Sequence, residues 1–364
     1  MIGRRPFMAG LASVSASLSR PALAASGDSR TLRVIPQANL TSLDPVWTSA
    51  VVTRNHGYMV YDQLLAVDAG FTPRPQMVAG WTVEDDGLTW RFTLRPGLRF
   101  HDDEPVRAQD CVASIQRWWA RDTLGQMLKT ATNEVMAVDD TQFVFRLRNA
   151  FPLLPFALGK SSPNPLFVMP ERIAKTDPYE QVKDPVGSGP FRFVADEWNP
   201  GSRAVWTRFG QYQPRNQPVD GLAGGKRANV ERVEWTVIAD SATSANAMIA
   251  GEQDYWEYPL HDLLGMLQSA PDIVVGQRLS EGTYAEARLN HLQPPFDNPA
   301  TRRALLMAVD QAEYMEAVVG DDPSRWGRCE SIYNDKGPFY SEAGNALLRT
   351  HSVEKAQAAL AQSG

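Results

Sequence analysis

The sequence predicts an α+β fold, mixed α/β in content, with sheets rich in antiparallel pairs and helices set between the strands. Three observations carry this. Apolar and polar residues alternate at period 2 through Trp90, Phe92 and Leu94, and again through Phe143, Phe145 and Leu147, as strands with one covered face do. Between these runs Cys111, Val112, Ile115, Trp118 and Trp119 share one stripe at helical spacing, over about residues 108–119. Residues 150–185 carry a dense set of prolines, which opposes long regular elements and suggests a crossover between subdomains.

Leu32 to Ile35 reads as a first strand that Pro36 ends or confines to an edge. Thr41 to Pro45 is a turn, because Asp44 before proline avoids the helical region. A helix is expected from about Thr53 to Leu65, with Tyr58, Tyr61, Leu64 and Leu65 on its stripe. Glu84 to Gly87 turns the chain into the strand of Trp90. Asp139-Asp140 does the same before Phe143, whose wet face should hold Val144, Arg146 and Arg148. Gly187-Ser188-Gly189-Pro190 opens another hairpin, rising through Phe191 and Phe193 and descending from Arg203 to Arg208.

Val233 to Ile238 is a strand leading into a helix capped by Asp240 or Ser241 and stopped by Gly251. Arg288 to Asn290 is expected to end a further strand. Asn298-Pro299 caps the next helix, since proline suits the first helical position, and Leu305, Leu306, Val309 and Ala312 should form its buried stripe. A capped helix from Ser352 to Leu360 comes last.

At 364 residues the chain is long enough for two or three domains, and its 43% hydrophobic and 21% charged content is that of a globular protein with a core. No apolar run approaches the roughly 20 residues of a membrane-spanning helix. Two cysteines exclude a disulfide scaffold and thiolate clusters. Cys111 reads as a small buried hydrophobe; a bond to Cys329 is permitted by oxidising surroundings and not required.

The N-terminus looks like an address. Arg4-Arg5, an apolar stretch from Phe7 to Leu18, and Ala22-Leu23-Ala24 form the basic, apolar and small-residue zones of an export signal. The arginine pair followed by Phe7 is similar to a twin-arginine signal, with cleavage expected near Ala24 or Ala25. Without residues 1–24, which hold three arginines and no acid, the net charge falls from −6 to −9. An acidic body argues against nucleic acid or an anionic membrane as principal partner, and the expected compartment is the periplasm.

Enzyme signatures are missing from the sequence: Gly187-Ser188-Gly189 lacks nucleophile-elbow spacing, and there is no P-loop, dinucleotide fingerprint or zinc-binding His-Glu-x-x-His. His101-Asp102-Asp103-Glu104 reads as a solvated acidic turn and not a metal site, since consecutive side chains diverge. Asp254-Tyr255-Trp256-Glu257-Tyr258 is expected to be a loop with three rings between two carboxylates. Such rings suit either a core or a ligand pocket.

Several collinear segments then carry a resemblance. They run from Leu43-Asp44-Pro45 through Tyr61-Asp62-Gln63-Leu64-Leu65 to Trp81–Asp102. Gly187–Phe191, Ala250–Asp254, Leu289-Asn290, Arg302–Leu305 and Glu354-Lys355-Ala356 follow in order. The chain resembles the family 5 extracellular solute-binding proteins, the periplasmic dipeptide-, oligopeptide- and nickel-binding components of ABC importers.

The resemblance implies a two-lobed protein that captures a small solute, most simply a short peptide, without catalysis or cofactor. It then delivers the solute to membrane permease subunits as a monomer. After the signal of residues 1–25, lobe I would comprise residues 26–66 and 186–290, a β-rich subdomain of residues 67–185 would be inserted between them, and lobe II would begin at residue 291. Family members run longer, so this second lobe is expected to be incomplete. By the same resemblance Thr48, Ser49 and Ala50, then Trp256, Glu257 and Tyr258, then Tyr284, Glu286 and Arg288 would face the ligand cleft, with Glu257 or Glu286 pairing a ligand ammonium and Trp256 stacking or making a cation–π contact. An exported cofactor-dependent enzyme and a sensory binding protein without transport are the alternatives.

Overall fold

The computed structural model describes residues 30–277, 284–331, 333, 337, 339–349 and 351–363; the export-signal reading lies outside them. In chain order the elements are β1 (Thr31–Ile35), α1 (Val51–Val60), β2 (Leu65–Val67), β3 (Pro73–Pro75), β4 (Val78–Glu84), β5 (Thr89–Leu94) and α2 (Ala108–Trp118). Next are α3 (Thr123–Ala131), β6 (Thr132–Ala137), β7 (Gln142–Leu147), α4 (Leu154–Gly159), α5 (Glu171–Ala174), β8 (Phe191–Phe193), β9 (Arg203–Arg208) and β10 (Arg232–Thr236). The chain continues with α6 (Ser241–Ile249), β11 (Tyr255–Trp256), α7 (Leu264–Gln268), α8 (Pro299–Ala308), α9 (Gln311–Val319) and α10 (Val353–Ala361).

Two sheets organise the chain. One has the order β11-β1-β10-β9-β8, with β1 parallel to both neighbours and the rest antiparallel. Pro36 therefore ends β1 without making it an edge. The other sheet, β4-β5-β7-β6, is antiparallel throughout, and β2 and β3 form a small ribbon. Trp90, Phe92 and Leu94 are buried as their alternation predicts. Val144, expected on the wet face, is buried too, because β7 is an interior strand and Arg91 and Met136 flank Val144 on either side.

Helix α2 joins the two cores. Its Cys111, Ile115 and Trp118 pack with Phe92, Phe143 and Phe145, while Ala113 packs with Tyr61, Trp206 and Trp235. Phe92 and Phe143 stack at 5.1 Å between centroids, and Trp206 meets Trp235 at 4.4 Å. Asp110 Oδ2 accepts the Arg107 N–H at 2.7 Å and closes the start of α2. Cys111 is buried and Cys329 exposed, and both are free thiols.

Several local expectations are corrected. Helix α1 stops at Val60, since Tyr61 is extended and Asp62 bridges to Val168. The apolar run after it becomes buried strand β2, a case in which periodicity alone does not separate helix from strand. Residues 284–290 are irregular and form no strand. In α8 Leu305 and Leu306 are exposed, and the buried residues are Thr301 and Ala304. The contact face of α8 is turned toward α10, where Asn298 Nδ2 donates to the Ser363 carbonyl.

His101 is buried and not solvated. Its Nε2–H donates to the Gly189 carbonyl at 3.0 Å, and its Nδ1 faces the Gly187 N–H at 3.4 Å. Asp102 and Asp103 remain at the surface, paired with Arg172 and Arg192. Gly187 and Gly189 pass against α1 so closely that a Cβ would lie 2.0 Å from the Val60 carbonyl oxygen and 2.6 Å from that of Met59. Gly187→Ala is therefore expected to cost about 1–3 kcal/mol by overpacking. Gly210→Ala, where nothing lies within 4 Å, should leave the urea midpoint unchanged; equal midpoints for the two variants would refute the tight crossing.

Candidate functional site

A turn fixed by one carboxylate begins the site. Asp44 Oδ1 accepts the N–H groups of Val46 and Trp47 at 2.9 and 3.2 Å. From the other side Asn164 Nδ2 donates to the carbonyls of Pro45 and Thr48, both at 3.0 Å. The Thr48 hydroxyl accepts the Ala50 N–H at 3.1 Å, and α1 starts at the next residue with no side-chain cap at Ala50.

Next to this turn lies an open cavity of about 360 Å³. Val46, Trp47, Thr48 and Ser49 form one wall; Ala120, Arg121 and Gln126, from the α2–α3 corner, form another; Asn164 and Tyr179 complete it. The Arg121 guanidinium lies 5.3 Å from the Trp47 ring centroid and 5.0 Å from that of Tyr179, and Nη2 donates to the Trp47 carbonyl at 3.0 Å. Contacts of this kind hold a cation over ring faces without neutralising it. Beneath it Asp122 caps α3 by accepting the Gly125 N–H, and Lys160 pairs with Asp122 at 2.6 Å. Burial pulls the Lys160 ammonium below its ordinary range, and Asp122 opposes that shift.

The second predicted group has a different setting from the loop expected. Tyr255 and Trp256 form edge strand β11 beside β1. Asp254 is a structural acid: it takes a two-pronged ion pair from Arg33, at 2.7 and 3.0 Å, and the Arg33 N–H at 2.8 Å. Glu257 accepts Asn55 Nδ2 at 2.6 Å and the Gln37 N–H at 3.1 Å. Both donors are neutral, so neither forms an ion pair with the carboxylate. Trp256 is half-buried and Tyr258 exposed.

Asn55 lies on α1 five residues beyond Ala50, about 7–8 Å along the axis. Helix α1 thus has Thr48, Ser49 and Ala50 at its start and Glu257 on its flank. Tyr284, Glu286 and Arg288 are not brought there: all three are exposed, Glu286 pairs with Arg288, and among the described residues no hydrogen bond or ion pair joins them to the other two groups.

Trp47, Arg121, Asn164 and Tyr179 were missed by the sequence reading. The signal within reach was Trp118-Trp119-Ala120-Arg121, where a helical stripe of rings ends on a cation beyond the last turn. Among the described residues no group of three or more His, Cys, Asp or Glu could hold a metal ion, and no helix is long and apolar enough to cross a membrane.

Comparison with known proteins gives a consistent set of likenesses. Residues 72–364 match the family described as bacterial extracellular solute-binding proteins, family 5 Middle. A probable peptide ABC transporter periplasmic-binding protein of Sinorhizobium fredii is 38% identical over 356 residues, 94% of this chain and 66% of that protein. The oligopeptide-binding protein AppA of Bacillus subtilis, solved with a nonapeptide, superposes with a TM-score of 0.73 at 17% identity, over 92% of this chain and 64% of AppA. The periplasmic binding protein AgaA of Agrobacterium tumefaciens R10, solved with agropinic acid, gives 0.71 at 22%, over 92% of this chain and 64% of AgaA. These structures share the fold, and the chain spans just under two thirds of the length of each of the three.

Proposed function

The chain belongs to the family 5 bacterial extracellular solute-binding proteins, and from that premise we propose that it captures a small solute reversibly and hands it to the permease of an ABC importer. The solute class is a short peptide, in line with the peptide-transport relative and the peptide-bound AppA. Residues 26–66 and 186–290 form lobe I, residues 67–185 an inserted subdomain, and residue 291 opens lobe II. The sheet that unites β1 with β8 to β11, apart from the β4–β7 sheet, supports this division. The protein acts in the periplasm as a monomer, without cofactor, and leaves its solute chemically unchanged.

One observation carries the reading: an open cavity at the start of α1 whose wall offers two rings, a cation and several hydroxyl or amide groups. Few polar groups among rings fix the orientation of a small ligand, and closing the lobes requires only that the ligand bind the closed form better. Thr48, Ser49 and Ala50 contact the ligand backbone; Trp256 and Tyr258 add rings and Glu257 a charge. Tyr284, Glu286 and Arg288 join them from the hinge side on closure.

Titrating dialanine while following tryptophan fluorescence, then recovering the peptide by mass spectrometry, tests this. Saturable binding with intact dialanine is expected, and cleaved peptide would defeat the proposal. Glu257→Gln should weaken dialanine about tenfold by removing a charge-assisted hydrogen bond to its ammonium. Binding of N-acetyl-dialanine, which has no ammonium, should be unaffected. Equal loss for both peptides would remove Glu257 from that role.

A further inference from the structure

Charge at the cavity is one-sided. Arg121 lines it, and among the described residues no carboxylate forms an ion pair with that guanidinium. Its neighbours are the Trp47 carbonyl and two ring faces, which orient the planar group and leave its positive charge uncompensated. Arg54, one turn into α1, is in a similar state: its Nη1 donates to the neutral Ser162 hydroxyl at 2.9 Å, two residues from the cavity residue Asn164.

Two further features have the same sign or none. The uncapped start of α1 directs its first N–H groups and the positive end of its dipole toward the turn of Thr48 and Ser49. The nearby Lys160 and Asp122 cancel one another. Cations held apart from acids in this way leave a positive potential at the cavity that attracts an anionic group.

From this we propose that the solute bears a carboxylate, and that this group docks on Arg121 inside the cavity. The inference rests on the solute-binding reading above and adds the ligand group that is recognised and the residue that selects it. The guanidinium offers a fork of N–H donors that fits a carboxylate in two-pronged fashion. Trp47 and Tyr179 hold the fork in place before the ligand comes, so little side-chain freedom is lost on binding. The cavity volume of about 360 Å³ is at the lower end for ligand pockets, which suits a di- or tripeptide or a sugar acid. Both carry the carboxylate.

The test compares matched probes on the full chain by calorimetric titration: dialanine against dialanine amide, and gluconate against gluconamide. Each amide removes the charge and keeps the shape. Wild type should bind at least one carboxylate about tenfold or more tighter than its amide, and whichever pair shows the preference identifies peptide or sugar acid as the source. Arg121→Gln should abolish the preference by weakening the acid about tenfold more than the amide. Arg121→Lys, a point charge without the fork, should restore part of it.

A merely structural role for Arg121 would weaken acid and amide alike and leave their ratio unchanged, which would overturn the proposal. A preference that survives in Arg121→Gln overturns it as well and leaves the binding function intact. If wild type binds none of the four probes, the solute-binding reading itself falls, and this inference with it.

Discussion

Arg117→Met is expected to lower the free energy of unfolding by about 3–5 kcal/mol. Arg117 leaves α2 on the side away from the stacked phenylalanines and meets Asp44 at 2.7 Å, with 1% and 0% of the two side chains exposed. The guanidinium also donates to the carbonyls of Thr176, Asp177 and Glu180, and Asp44 accepts the Val182 N–H at 2.9 Å. One pair therefore fastens the proline-rich crossover to α2 and to the turn that lines the cavity. Removing the cation leaves a carboxylate in the interior with only amide donors, and an unpaired buried charge is far costlier than the pair is stabilising. The double variant Asp44→Asn/Arg117→Met should be less unstable than the two single losses combined. Urea unfolding of the four proteins measures this, and an Arg117→Met midpoint equal to wild type would refute it. Because Asp44 also fixes the Val46–Trp47 turn, the single variant should lose solute binding as well.

The second large effect is on acid stability. Burial pushes the imidazole of His56 down to about 3, and burial, opposed by the Gly189 carbonyl and assisted by Arg192, pushes that of His101 down to about 4. Geometry agrees with neutral rings. His56 Nδ1 accepts the Trp206 indole N–H at 3.2 Å, among the rings of Tyr61, Phe193 and Trp206. His101 Nδ1 faces the Gly187 N–H. Neither acceptor nitrogen can take a proton and keep its partner.

The unfolded chain, with histidines near 6.5, binds more protons than the folded one below that pH, so stability rises with pH through this window. It is complete above about pH 6.5 and is lost as the pH falls toward 4 for His101 and 3 for His56. Each histidine contributes up to about 1.4 kcal/mol per pH unit there. Urea midpoints at pH 7.5, 6.0, 5.0 and 4.5 should fall steeply, and His101→Gln should remove about half of the slope. An unchanged slope in that variant would show that His101 does not set it.

Much of the scaffold was legible because its signals are local. The alternation around Phe92 and Phe145, the caps at Asp240, Asn298 and Ser352, and the turns at Asp86 and Asp139 depend on neighbours in sequence. What failed depends on distant partners. Whether Tyr61 to Leu65 continues a helix or enters a strand is decided by Val168 and by β3. Whether Leu305 is buried is decided by where α10 lies.

The site divides in the same way. Thr48 and Ser49 stand on the cavity wall, while Arg121, Asn164 and Tyr179 join them only through the crossing of segments far apart in the chain. Asp254 illustrates the reverse case: a carboxylate beside aromatic rings suggested a ligand, and Arg33, more than two hundred residues earlier, takes it.

The interior position of β1 has a consequence for the order in which the molecule can assemble. Thr31 pairs with Arg232 and Ile35 with Trp256, so β1, once synthesised, has no neighbours until about two hundred further residues have followed. The β4–β7 sheet, by contrast, draws all its pairings from residues 78–147 and has far shorter loops to close. Such separations slow folding and leave strand edges open meanwhile. Folding must therefore leave β1 unpaired until its two flanking strands arrive.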